Sequence, residues 1–134
     1  MSDWLYRMPA LHLAEAADLG SARVWLYELC WGFGPNGASH GLDTLLLFGT
    51  ADADGEVTTA GPAAVAAAER LSQRLRAEHL ACATTGDPGW ARFRTSRRMT
   101  RVHGPDALLT TYPEERSRAL WSDQRFGVLS VAGS

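Results

Sequence analysis

The sequence predicts an α/β fold, and three stretches carry that prediction. Residues 3–19 place Trp4, Met8, Leu11 and Glu15 at helical spacing, the pattern of an amphipathic helix. Residues 23–30 are nearly continuously apolar and rich in Val, Trp and Tyr. That composition suits a strand covered on both faces, as in a parallel sheet. Residues 62–86 open on Pro62, carry Leu71, Leu75 and Leu80, and stop at Gly86 with Pro88 just beyond, which marks a long helix. At 134 residues the chain is one domain or a piece of one, and no internal repeat or linker divides it.

The elements follow in order. In the first helix Leu5 and Leu13 are expected to widen the apolar stripe, Ser2 or Asp3 to cap the start, and Gly20 to end it. Pro9 lacks an N–H and costs about 3 kcal/mol inside a helix, so a break is expected near Arg7–Met8. The strand is followed by a loop, 31–40, whose Gly32, Gly34, Pro35, Asn36 and Gly37 supply turn chemistry. The apolar run 45–48, ending at Gly49, is too short for either period to decide its type. Residues 51–61 are polar and read as a surface loop. Along the long helix His79 shares the face of Leu71 and Leu75. Residues 99–102 and 108–112 are expected as short strands about a Gly104–Pro105 turn. Residues 113–121 read as a short helix with Glu114 and Glu115 in its first turn, where the dipole favours them. Residues 126–134 are expected to form a loose tail.

Composition excludes several classes of function. A formal net charge of −2 gives no electrostatic footprint for nucleic acid or an anionic membrane. The N-terminus lacks a basic segment followed by an apolar stretch, so it is not a secretory signal. No apolar run approaches the ~20 residues needed to cross a bilayer. The expectation is a soluble, cytoplasmic protein. Cys30 and Cys82 make neither a disulfide framework nor a zinc site, and both are expected as buried free thiols. His12 and His103 read as surface residues.

The chemically informative stretch is Gly37-Ala38-Ser39-His40-Gly41-Leu42-Asp43, followed by Phe48-Gly49. Read literally, residues 37–41 match G-x-S-x-G, the nucleophile elbow of α/β-hydrolases. That elbow requires a strand running directly into a tight turn and a helix, and here a loop separates Cys30 from Ser39. In the second reading His40 is the reactive residue, on a loop beyond a buried strand, where α/β-hydrolases hold their general base. Such a histidine takes the serine hydroxyl proton and returns it to the leaving group, and a carboxylate fixes its tautomer.

The run from His40-Gly41 through Asp43 to Phe48-Gly49 resembles the histidine loop of type-B carboxylesterases, the family of cholinesterases and para-nitrobenzyl esterases. Arg7-Met8-Pro9-Ala10 with Leu13-Ala14 resembles that family's helix before the strand, and Val24 to Leu29 its tyrosine-bearing strand. Leu71-Ser72-Gln73-Arg74 and Thr85-Gly86-Asp87-Pro88 resemble its long helix and the end of it. Trp90 to Phe93, Arg98-Met99 and Glu115-Arg116 to Trp121 resemble three further segments. The likeness runs from about Trp4 to Trp121, each motif being weak alone and the set strong through order and spacing. Two departures stand out: His79 and Cys82 replace aromatic residues of the family's long helix.

The resemblance implies a partial α/β-hydrolase fold, the C-terminal strands and helices with an incomplete sheet. It implies that His40 is the general acid/base of carboxylic ester hydrolysis through an acyl-serine. It also implies that Asp43 is structural, pairing with an Arg or capping the turn. The family's serine nucleophile, oxyanion loop and triad acid lie upstream of the matching region, so the isolated chain is expected to be inactive. No metal or organic cofactor is called for. Self-association, or association with a separate N-terminal hydrolase part, is expected because the strand at 24–29 would have an unpaired edge. Two alternatives remain: a binding or structural module derived from such an esterase, and a self-contained small hydrolase using Ser39 with His40 or His79 as base.

Overall fold

The structure is a computed structural model that describes residues 3–32, 37–38, 40–51 and 55–124. Ser39 and residues 126–134, for which a nucleophile and a loose tail were considered, lie outside them. A π-helical turn, Asp3–Arg7, leads into α1, Met8–Leu19, with Pro9 in its first turn where no N–H is needed. The chain then forms β1, Leu26–Leu29, and α2, Leu42–Phe48. After these come α3, Gly55–Thr59, and α4, Pro62–Thr85. The hairpin of β2, Met99–His103, and β3, Ala107–Thr111, precedes α5, Glu115–Trp121.

The three strands form one sheet in the order β1-β2-β3. β1 runs parallel to β2, with Leu26 opposite Thr100 and Leu29 opposite His103. β2 and β3 are antiparallel about Gly104–Pro105, with Met99 opposite Thr111. Successive strand residues point to opposite faces, so each face gathers its own core. On one face Met8, Leu11 and Ala14 of α1 pack with Phe93 and Tyr112, and Leu26 joins them. On the other, Leu42 and Leu46 of α2, Val57 of α3 and Ala68, Leu71 and Leu75 of α4 pack with Trp31, and Leu29 joins them. Among the described residues the result is three layers, helix–sheet–helix, around a three-stranded sheet.

Long-range polar ties hold α1 to the chain after α4. Asp18 accepts from the Thr95 N–H at 2.9 Å, and Arg94 reaches it at 3.0 Å. The Thr95 hydrogen bonds, with Arg94, hold the Asp18 carboxyl below its usual range. Arg98 pairs with Glu15 at 2.9 Å. Between α2 and α4, the buried Ser72 hydroxyl donates to the Leu46 carbonyl at 2.6 Å, tying two helices without leaving a polar atom unpaired.

Several expectations are corrected. Leu13 is 72% exposed and Leu5 is also exposed, so the stripe of α1 is narrower than the sequence suggested. Gly20 does end α1, as expected, and the left-handed residue of that turn is the next one, Ser21, at φ 66°. The undecided run 45–48 is helical, since α2 starts at Leu42 and ends on Gly49 at φ 69°. Residues 51–61 are not simply a surface loop, because α3 turns Val57 into the core and Ala51 is buried. The strand is shorter than 23–30, and all four residues of β1 are partly exposed rather than covered. Cys30 is exposed and Cys82 half-buried, both as free thiols. His103 is fully buried rather than at the surface.

Candidate functional site

The loop that carries His40 is pinched at its base. A β-carbon on Gly32 would collide with the Gly37 carbonyl, so the two strands of the loop meet through glycine alone. Gly41, at φ +84°, caps α2 in a conformation that disfavours any residue with a β-carbon, and His40 immediately precedes it. The His40 side chain is exposed, and its ring stacks on Tyr6 with centroids 4.1 Å apart and planes 17° from parallel.

Tyr6 belongs to the π-helical turn, which Arg7 anchors by binding Asp3 and, at 3.0 Å, Glu28 of β1. The Ser117 hydroxyl donates to the other Asp3 oxygen, and this bond first, then Arg7, holds the Asp3 carboxyl low. Burial raises the Glu28 carboxyl, and Arg7 only partly offsets it.

Among the described residues Asp43 does not pair with an Arg. Its Oδ2 accepts from the Tyr27 hydroxyl at 3.1 Å and its Oδ1 from the Thr44 N–H at 3.0 Å, so it pins the first turn of α2 to β1. Burial, and then the Asp43 charge, push the Tyr27 hydroxyl up to about 12. Among the described residues no carboxylate lies within hydrogen-bond distance of His40. The carboxylate that would fix its tautomer is therefore not supplied by them.

These groups border an open groove of about 650 Å³ lined by Tyr6, Arg7, Tyr27, Glu28, Cys30 and His40, among others. The Cys30 thiol faces it, but burial first and then the Glu28 charge raise that thiol. This opposes the thiolate a cysteine nucleophile needs.

His79 is held elsewhere. Its Nδ1 donates to the Leu75 carbonyl at 2.8 Å, and its ring meets the edge of Tyr27 at 5.5 Å. No contact among the described residues joins it to His40. Behind Tyr27 lies a group that the sequence did not reveal. His103 sits between Tyr27 at 5.7 Å and Trp90 at 6.4 Å. Its Nε2 is 3.1 Å from Glu78 Oε2 but out of hydrogen-bonding alignment, and neither ring nitrogen has a hydrogen-bond partner. Arg101 takes the other Glu78 oxygen at 2.6 Å. Nothing in Met99-Thr100-Arg101-Val102-His103 separates an inward histidine from an outward one, since the run does not alternate in polarity.

Burial, then the charges of Arg101, Arg74 and His79, push His103 from its ordinary 6.5 down to about 4. The unfolded chain therefore binds more protons than the folded one between those two values, and stability falls as pH drops through that window. The expected loss is up to about 3 kcal/mol, measured as urea-unfolding free energy between about pH 7 and pH 4. The His103→Gln variant should flatten that slope; an unchanged slope in the variant would show that another group titrates.

No protein-family profile matches the sequence. The three-layer arrangement is that of part of an α/β-hydrolase esterase, as solved structures show. A thermophilic PNB esterase aligns with a TM-score of 0.75 and 25% identity, over 88% of this chain and 26% of its own length. A PNB esterase aligns at 0.73 and 27% identity, over 89% and 25%. Carboxylesterase EST55 of Geobacillus stearothermophilus aligns at 0.66 and 22%, over 83% and 24%. The chain thus spans about a quarter of the length of the esterases it matches.

Among the described residues no group of three or more His, Cys, Asp or Glu converges to hold a metal ion. No helix among them is long and apolar enough to cross a membrane.

Proposed function

We propose that this chain is the histidine-bearing, C-terminal portion of a carboxylesterase. Its His40 serves a serine supplied by polypeptide outside these 134 residues. His40 takes the serine hydroxyl proton as the oxygen attacks the ester carbonyl. It gives that proton to the departing alcohol and leaves an acyl-serine. It then deprotonates the water that releases the acid, and the serine regains its proton. The observation that carries this reading is His40 itself: exposed, oriented by Tyr6 on the rim of an open groove, in a fold that matches about a quarter of the length of a PNB esterase. On this reading the substrate is a small-molecule ester that binds only in the complete assembly, with no part for nucleic acid, a membrane surface, a metal or an organic cofactor.

A second reading is a binding or structural module that keeps the packing and has lost the reaction. The face-on stack of Tyr6 favours it, because one face of the His40 ring is covered.

The isolated chain is expected to form no adduct with a fluorophosphonate serine-hydrolase probe, measured by intact mass. A stoichiometric adduct on Ser39 that is lost on heating would place a complete active site within these residues and overturn the proposal.

A further inference from the structure

Arg70 and Arg74 lie one turn apart on α4, so their side chains share a face. The carboxylates of the same helix are engaged elsewhere. Glu69 accepts from Gln73 and pairs with Arg76, and Glu78 binds Arg101. Among the described residues neither Arg70 nor Arg74 forms an ion pair. Like charges at this spacing repel and weaken a helix, and an anion held between them would relieve that repulsion.

Both arginines border a pocket of about 300 Å³ between α4 and the turn of the β2–β3 hairpin. Arg74 is fixed there, because its Nη2 donates to the Gly104 carbonyl at 3.0 Å. Its Nε is shut off from solvent and has no hydrogen-bond partner among the described residues. A buried donor left unpaired is costly, so this N–H calls for an acceptor. Much of the remaining wall is apolar: Trp31 and Leu71, both buried, with Ala67 and Pro105. Asp106 lines the pocket as well, so its charged groups are two cations and one anion.

We propose that this pocket binds a small organic monoanion, a carboxylate on a short apolar body. The carboxylate lies between the guanidinium groups of Arg70 and Arg74, whose planar forks match its two oxygens. The body rests against Trp31 and Leu71, which a bare inorganic ion would leave uncovered. Asp106 repels a second negative charge, which selects monoanions over dianions. An apolar cavity of about 150 Å³ already accepts benzene, so there is room here for a ring that bears a carboxylate. The acids that ester hydrolysis releases belong to this class of ligand, but the proposal stands without the esterase reading.

The test is isothermal titration calorimetry of the purified chain with sodium benzoate, in a low-salt buffer free of phosphate and carboxylates. Saturable binding at a single site is expected, with a Kd of about 1 mM or lower. Benzamide has the same shape without the charge and should bind at least about tenfold more weakly. Inorganic phosphate, which lacks the apolar body, should also bind more weakly than benzoate. Arg70→Gln alters an exposed side chain and should weaken benzoate at least about tenfold with an unchanged circular dichroism spectrum. Arg74→Lys keeps the charge but loses the fork and should weaken it too, whereas Asp106→Asn should tighten it. No saturable binding up to about 20 mM benzoate overturns the proposal. So does an affinity that Arg70→Gln and Arg74→Lys leave unmoved, or benzamide binding as tightly as benzoate. Phosphate binding more tightly than benzoate would overturn the choice of an organic monoanion.

Discussion

In a reconstituted complex that hydrolyses p-nitrophenyl acetate, His40→Ala is expected to lower kcat by at least about 10³-fold with little change in KM. The imidazole is the proton carrier of the proposed reaction, and alanine leaves the serine with no base. The substrate's own contacts would persist, so KM should hold. The effect on folding should be small, because the ring is exposed and its packing partner is the surface residue Tyr6. Asp43→Asn is the informative companion. Asp43 holds Tyr27 and the Thr44 N–H and does not touch the imidazole, so its loss should show first in stability. Undiminished turnover by His40→Ala would make the chain a structural module.

Phe93→Ala is expected to cost about 3–5 kcal/mol of unfolding free energy, a large share of the 5–15 kcal/mol typical of a domain. The ring is fully buried where α1, Tyr112 and Leu26 converge. Its N–H also donates to the Val24 carbonyl at 2.8 Å, which fixes the chain just ahead of β1. Urea denaturation followed by tryptophan fluorescence would measure the loss. A cost below about 1 kcal/mol would mean that this face collapses to fill the space.

Much of the architecture is legible from local chemistry. Pro62 and Gly86 bracket α4, because a residue without an N–H and a residue that tolerates positive φ suit opposite helix ends. Pro9 likewise sets the junction of the π-helical turn and α1, and Gly104–Pro105 the hairpin. What escaped depends on partners distant in sequence. Val57 is one apolar residue in a polar stretch, and only the surface of α4 makes it a core residue. His103 is buried by Trp90, Tyr27 and Glu78, none of them its neighbours in the chain. At the site, His40 stood out only through the resemblance of residues 40–49 to a histidine loop, and the left-handed Gly41 that follows it had no signal of its own. The Tyr6 stack was not legible, since no sequence pattern brings residue 6 to residue 40.

The parallel pairing of β1 with β2 also governs how the chain acquires its shape. Leu26 must wait for Thr100, with α2, α3 and α4 lying between them in sequence. Helices form from neighbours and close early, whereas a ladder across so long a span must first overcome loop-closure entropy. On the ribosome β1 emerges with neither of its edges matched, and it stays so until the hairpin of β2 and β3 has been made. In that interval its apolar residues are exposed to any chaperone or strand that meets them first, and the yield of folded protein should depend on synthesis rate and temperature more steeply than its equilibrium stability does.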